Sequence, residues 1–215
     1  MYSDEPFPLG PSALGPSALN AFATIDLLAT IDFDNYVPSN GAVSPTTSFG
    51  AKLKAAAAIL KANLGVEAIE ADLGGWDHHN QQGPTGNGTM APLLGELAAA
   101  LAAFEADLSD ASGALDRTTL VCMSEFGRRA QENGSAGTDH GYGGLMLVMG
   151  GNVNGGQVIT NWPTLAPGAL VDGDLAITID YRDVLAEVLA DRMSATNLAA
   201  VFPSYTPAAS WSVTR

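Results

Sequence analysis

The chain has one cysteine, few basic residues and no long apolar run, and each scarcity excludes a class of protein. Cys122 alone cannot form an internal disulfide framework or a CxxC metal or redox motif. Nine Lys and Arg against 23 Asp and Glu give a formal net charge of -14, which repels nucleic acid and anionic membranes. No run approaches the ~18 apolar residues of a membrane span, and the N-terminus lacks the basic-then-apolar pattern of a signal peptide. We therefore expect no nucleic-acid partner and no membrane span.

Composition divides the chain near residue 48. Residues 1–48 are rich in Pro, Gly, Ser and Asn and contain a tandem duplication of the sequence LGPSA. Because such a segment has little to bury, we predict a loop or linker there, with a covering lid as the functional alternative. From Phe49 onward the composition becomes that of a packed protein. The 215 residues suffice for one α/β domain, which we predict over residues 49–215.

Helical and strand patterns alternate along that domain. Apolar residues recur at helical spacing from Leu53 to Leu64 and from Leu93 to Leu108, and Asp180 is placed to cap a last helix. The continuous β-prone run at residues 118–123 is typical of a strand covered on both faces. We predict strands at residues 66–73, 118–123, 145–149, 157–160 and 176–179. Sequential strand and helix units predict an α/β fold, a mainly parallel sheet with helices on both faces.

The three histidines lie in two glycine-rich stretches beside acidic residues. The first reads GGWDHHN over residues 74–80, and the second includes GTDHG over residues 137–141. In an extended segment alternate side chains share a side, so Asp77 and His79 could bind one ion while His78 faces away. Imidazole and carboxylate donors suit zinc, iron or manganese, and the lack of clustered thiolates argues against a purely structural zinc site.

Further candidate residues lie around the second histidine stretch. Glu125 follows a predicted strand, and an irregular loop would let the adjacent Asp139 and His140 reach one centre. We predict a divalent metal site with the ligands Asp77, His79, Glu125, Asp139 and His140. For Asp77 and Glu125 the alternative is to cap a helix or bind a loop amide.

Arginines and hydroxyl residues near this stretch suggest substrate binding and catalysis. Arg128 or Arg129 could hold a planar or tetrahedral anion through paired N–H donors, or could form only a salt bridge. Ser124 and Thr138 carry hydroxyl groups, but such residues commonly cap backbone, so no nucleophile is identified. We predict Arg128 as the substrate-binding residue.

Several motifs in order give the chain a family resemblance. The stretch from about residue 49 to about residue 193 resembles the bacterial domain-of-unknown-function family 1501. The resemblance is carried by five motifs in order: GGWDHHN, SEFGRR, ENGSAGTDHG, MGGNVNGG and TIDYRD. That family looks like a branch of the alkaline phosphatase and sulfatase superfamily, whose members hydrolyse phosphate or sulfate esters at paired divalent metals on an α/β sheet. The resemblance matches Asp77 and His79 to the earlier metal-binding pair and His140 to the later histidine. It implies an alkaline phosphatase-like fold and a periplasmic or secreted location.

The sequence departs from that superfamily in three places. Glu125 and Phe126 replace the usual Asp-His pair, which removes one ligand, and His78 stands where the family commonly has threonine. Residues 1–48 offer no early strand for the superfamily's nucleophile. The chain therefore resembles a C-terminal portion whose sheet is incomplete at the N-terminus and open to self-association at one edge.

The expected function follows from the metal site and the resemblance together. We expect a metal-dependent hydrolase-like domain acting on phosphate or sulfate esters, with a small-molecule or glycan ester as substrate. The alternative is a non-catalytic metal- or anion-binding module of an exported protein. A serine or threonine facing the metal would favour the enzyme.

Overall fold

The computed structural model describes residues 11–84, 87–208 and 210–215. Two core helices and two short antiparallel ladders organise this part of the chain. In chain order the elements are α1 (Pro11–Leu28), α2 (Ser48–Ala62), α3 (Met90–Leu108), α4 (Ala114–Arg117), β1 (Thr119–Cys122), β2 (Gly127–Arg128), β3 (His140–Gly141), β4 (Leu147–Gly150), a 3-10 turn (Pro167–Ala169), α5 (Tyr181–Met193) and α6 (Leu198–Val201).

The hydrophobic core lies between α2 and α3. Leu53 and Ala57 of α2 are buried with Phe104 and Leu108 of α3 in one cluster, and β1 and β4 pack against it through partly buried residues. The Thr47 hydroxyl accepts a hydrogen bond from the Gly50 N–H at the start of α2. The helices predicted from the spacing of Leu53 and of Leu93 are therefore confirmed.

The predicted parallel sheet is wrong. β1 pairs with β4 antiparallel, in a register from Thr119 opposite Gly150 to Cys122 opposite Leu147, and β2 pairs with β3 antiparallel. Parallel neighbours need a crossover connection, usually a helix. Residues 123–146, which join β1 to β4, contain only loop and the β2–β3 ladder, so the chain returns in the opposite direction. In the described ranges the molecule has two two-stranded sheets, not an alkaline phosphatase-like sheet with helices on both faces.

Five strands were predicted from the sequence, and two of them form. The runs at 118–123 and 145–149 are confirmed as β1 and β4. The strands predicted at 66–73, 157–160 and 176–179 are wrong, since residues there belong to no ladder. Two of the apolar side chains are largely exposed, Val158 at 88% and Ile177 at 63%, whereas Ala71 and Leu73 pack against the core without joining a ladder. A strand gains stability from a hydrogen-bonded neighbour, and these segments have none in the described structure.

Part of the N-terminal segment is tied to the core. The structure places α1 within residues 1–48, where composition predicted a loop or linker, and residues 1–10 lie outside the described ranges. Asp107 of α3 is buried and accepts hydrogen bonds from the Tyr36 hydroxyl (2.7 Å), the Ser39 N–H (2.8 Å) and the Lys61 ammonium (2.9 Å). These contacts fix the chain just before α2 against α2 and α3. The domain division at residue 48 stays a prediction.

The last long helix, α5, holds the C-terminal segment through a carboxylate. The predicted cap is confirmed, because the Asp180 side chain accepts from the Arg182 N–H. Further along α5, the Glu187 carboxylate accepts hydrogen bonds from four consecutive backbone N–H groups, those of residues 211–214. In the described residues, none of the helices combines the length and apolar character needed to cross a bilayer.

Candidate metal centre

Two segments meet at the site: the first site segment, residues 74–80, and the second site segment, residues 124–141. The Thr138 N–H donates to the His78 carbonyl (3.0 Å), and the Asn133 side-chain amide donates to the His79 carbonyl (2.9 Å). A Cβ at Gly137 would lie 2.3 Å from the His79 carbonyl carbon. Only glycine therefore permits the two backbones to approach so closely.

The Arg128 side chain joins the same two segments. Its Nη1 donates to the Thr138 carbonyl (2.7 Å) and its Nη2 to the Trp76 carbonyl (2.6 Å). Nη2 also lies 3.2 Å from Asp77 Oδ1. The ladder between β2 and β3 places Arg128 opposite His140. The guanidinium thus holds both segments in register beside the acidic and histidine side chains.

Asp77, His79 and His140 converge. Their ligand atoms all lie within 4.8 Å of one another. Asp77 Oδ1 is 2.8 Å from His140 Nε2 and 3.1 Å from His79 Nε2. The Phe126 ring stacks on the His140 ring at 3.9 Å between centroids and 14° between planes, which restricts its orientation. About half of each of the three side chains is exposed, so solvent reaches the group.

The surroundings of Asp77 favour its ionised form. The hydrogen bond from His140 lowers the pKa of the Asp77 carboxyl, burial opposes this, and the charges of His79, His140 and Arg128 lower it further. A metal-binding carboxylate must be deprotonated, so these neighbours favour the form that binds a cation.

The donor set and spacing fit a divalent transition metal. One carboxylate and two imidazoles are typical ligands of zinc, manganese and iron. In a tetrahedral site with bonds of ~2.0–2.1 Å, neighbouring ligand atoms lie ~3.3–3.4 Å apart. The distances from Asp77 to the two histidines, 2.8 and 3.1 Å, need only small side-chain shifts to match. Three protein ligands with an exposed side leave a position for water, as in catalytic rather than structural sites.

The other two predicted ligands lie outside this group. Glu125 is exposed and does not belong to the group found among the described residues. Asp139 Oδ1 contacts His79 through Nδ1, at 3.0 Å, and accepts from the Asn133 amide at the same distance. The Asn133 hydrogen bond, followed by that of His79, lowers the pKa of the Asp139 carboxyl.

His78 differs from the other two histidines. It is only 5% exposed, with Nδ1 2.8 Å from the Thr89 hydroxyl, and it is not a member of the converging group. Burial, and then the charge of Arg128, lowers its pKa. This placement agrees with the alternation that predicted His78 on the opposite side from Asp77 and His79.

The remaining candidates are engaged in local hydrogen bonds. The Ser124 hydroxyl donates to the Phe126 carbonyl (2.9 Å), and the Thr138 hydroxyl donates to the Gln82 side chain (2.7 Å). Arg129 pairs with Asp174 (2.8 Å).

Two residues of the site were missed from the sequence. Phe126 and Asn133 lie in the motifs SEFGRR and ENGSAGTDHG, but neither was predicted to contact the site. The position of Phe126 between Glu125 and the arginines indicated that its ring could lie beside the site. The Asn-Gly pair at residues 133–134 was a weaker indication, because it is typical of a turn whose asparagine side chain bonds nearby backbone.

Residues 24–201 match the model of a family described as "Protein of unknown function (DUF1501)". The match includes both site segments and confirms the family resemblance of the motifs. No curated protein and no solved structure matches the chain.

Proposed function

The chain belongs to the DUF1501 family, and we propose that Asp77, His79 and His140 bind one divalent transition metal ion, zinc, manganese or iron. The observation that carries the proposal is the convergence of one carboxylate and two imidazoles from distant parts of the sequence. Arg128 supports it, because its hydrogen bonds to both segments hold the ligands in place before an ion arrives. Such preorganisation lowers the cost of ordering a binding site.

We further propose that the centre hydrolyses phosphate or sulfate esters of small molecules or glycans. When bound, a divalent ion lowers the pKa of a coordinated water and polarises an ester oxygen. The chain's own contribution is to leave the outer side of the ligands open, to keep Asp77 ionised and to provide the positive charge of Arg128 beside it. Arg128 has five N–H donors, so hydrogen bonds to two carbonyls leave donors that could contact an anion.

The relation to the alkaline phosphatase and sulfatase superfamily is part of this proposal and rests on motif order alone. An exported location depends on the same relation. The parallel sheet of that superfamily is not what the chain forms, so the site chemistry, rather than the fold, supports the ester substrates.

A non-catalytic metal-binding module is the second candidate. It is favoured by one observation: the hydroxyl groups of Ser124 and Thr138 are bonded within the loops, and neither belongs to the converging group. An enzyme of this kind would have to use activated water as its nucleophile, without a protein hydroxyl.

One experiment separates these functions. The full chain is stripped of metal, reloaded with zinc or manganese, and assayed with an aryl phosphate and an aryl sulfate. We expect metal-dependent turnover that is lost in His140→Ala and kept in the matched variant His78→Gln. Metal binding without turnover in the wild type would favour the module. No metal binding at all would refute both functions.

A further inference from the structure

The two ring nitrogens of His79 face two different carboxylates. Nε2 lies 3.1 Å from Asp77 Oδ1, on the side of the converging group. Nδ1 lies 3.0 Å from Asp139 Oδ1, across the ring. Asp139 therefore contacts the nitrogen of His79 that does not face the proposed ion.

We infer that Asp139 is a positioning residue that fixes His79 as the Nδ1–H tautomer and so directs the Nε2 lone pair toward Asp77 and His140. The two contacts differ in geometry: Nδ1 forms a hydrogen bond with Asp139 Oδ1, whereas Nε2 only approaches Asp77 Oδ1 without hydrogen-bond alignment. Because an ionised carboxylate can only accept, the ring hydrogen belongs to Nδ1. In neutral imidazole the other nitrogen is then an acceptor, the form that binds a metal. The consequence for metal affinity rests on the proposed function; the tautomer itself does not.

Asp139 is itself held in place. The Asn133 amide donates both to Asp139 Oδ1 (3.0 Å) and to the His79 carbonyl (2.9 Å). Asn133 Oδ1 in turn accepts from the N–H groups of Ser135 and Gly137. The carboxylate, the amide and the imidazole thus form one connected set that fixes both the plane and the tautomer of the ring.

This role differs from that of the metal ligand predicted from the sequence. A ligand would place a carboxylate oxygen within the group formed by Asp77, His79 and His140, and Asp139 does not belong to that group. Outer partners of a metal-binding histidine commonly change metal affinity by about 10- to 100-fold when they are removed. Loss of a ligand would in addition change the coordination of the ion.

The test uses the metal-free full chain at pH 8, where an ordinary imidazole is neutral. Nitrogen-15 NMR assigns the protonated ring nitrogen of His79 in the wild type, Asp139→Asn, Asp139→Ala and Glu132→Gln. Glu132 is exposed in the same segment, so its variant removes an equal charge and serves as the matched control. We expect Nδ1–H in the wild type and in Glu132→Gln. We expect Asp139→Ala to shift the population toward Nε2–H. In Asp139→Asn, whose amide oxygen can still accept, we expect partial retention of Nδ1–H.

Zinc affinity is then measured on the same four proteins. Asp139→Ala should bind zinc about 10- to 100-fold more weakly, Asp139→Asn by a smaller factor, and Glu132→Gln like the wild type. A predominantly Nε2–H ring in the wild type would overturn the inference, as would a cobalt(II) absorption spectrum showing one ligand fewer in Asp139→Asn. If the wild type binds no zinc, the proposed function fails, and the tautomer in the metal-free chain still decides the inference.

Discussion

Replacing Arg128 tests whether this side chain joins the two site segments. Its side chain is 17% exposed, and its guanidinium donates to the carbonyls of Thr138 and Trp76. A hydrogen bond to a charged group contributes about 1.5–3 kcal/mol to stability, so two contribute about 3–6 kcal/mol if additive. The ion pair with Asp77 adds little, because that carboxylate is 56% exposed.

We expect Arg128→Ala to lower the free energy of unfolding by about 3 kcal/mol, the lower end of that range, because water can reach part of the site. Arg128→Lys should lower the free energy of unfolding by about half as much, since a lysine ammonium keeps the charge but cannot donate to both carbonyls at once as the planar guanidinium does. For a chain of this length, a loss of about 3 kcal/mol lowers the melting temperature by about 6–12 °C.

The assay is urea unfolding of the metal-free chain, with Arg117→Ala as the matched control. Arg117 is exposed and donates to one backbone carbonyl, that of Ser112, at 2.9 Å. Because water can replace this exposed hydrogen bond, we expect Arg117→Ala to lower the free energy of unfolding by only about 0.5 kcal/mol. Equal losses in Arg128→Ala and Arg117→Ala would refute the joining role. If Arg128→Ala bound inorganic phosphate more weakly but unfolded at the same urea concentration as the wild type, Arg128 would bind anions, as predicted from the sequence, and would not join the segments.

Three further predictions concern other parts of the molecule. Burial would raise the pKa of the Glu187 carboxyl, but hydrogen bonds from the C-terminal backbone lower it below its ordinary value. The ionised carboxylate therefore stabilises the fold fully above the ordinary glutamate pKa of about 4.3, and this stabilisation is lost as pH falls through the lowered pKa. Urea unfolding between pH 6 and 3 should accordingly show a smaller pH-dependent loss in Glu187→Gln than in the wild type. Lys61→Met removes the positively charged partner of the buried Asp107 carboxylate and should lower the free energy of unfolding by about 3–5 kcal/mol in the same assay. A decrease below about 1 kcal/mol would contradict the role of this ion pair in joining α2 and α3. Calorimetric titration at one pH should show zinc affinity lowered more than about 100-fold in His140→Ala and less than about tenfold in His78→Ala. Equal decreases in zinc affinity would contradict the placement of His78 outside the site.

The helices were predictable because their signals are local. Leu53 and Ala57 recur at helical spacing whatever the rest of the chain does, and Asp180 caps the next turn of its own backbone. The direction in which β1 and β4 pair is not local. An apolar run has the same pattern in a parallel and in an antiparallel ladder, and the outcome depended on whether residues 123–146 formed a crossover helix.

The convergence at the site was partly predictable, and the roles within it were not. Alternation along an extended segment correctly separated His78 from Asp77 and His79. The same reasoning could not assign Asp139, because the direction of its side chain depends on an irregular loop and on a hydrogen bond from Asn133. Residue type identified the donors, but the backbone of the second site segment decided which of them face one another.

The number of zinc ions bound by the full chain tests the central claim most directly. Equilibrium dialysis of the wild type and of the double variant Asp77→Asn, His140→Ala measures it without assuming a substrate. We predict about one ion per wild-type chain at neutral pH, a higher melting temperature in its presence, and neither effect in the double variant. A wild type that binds no zinc, manganese or iron, or a double variant that binds as much metal as the wild type, would contradict the proposed metal centre.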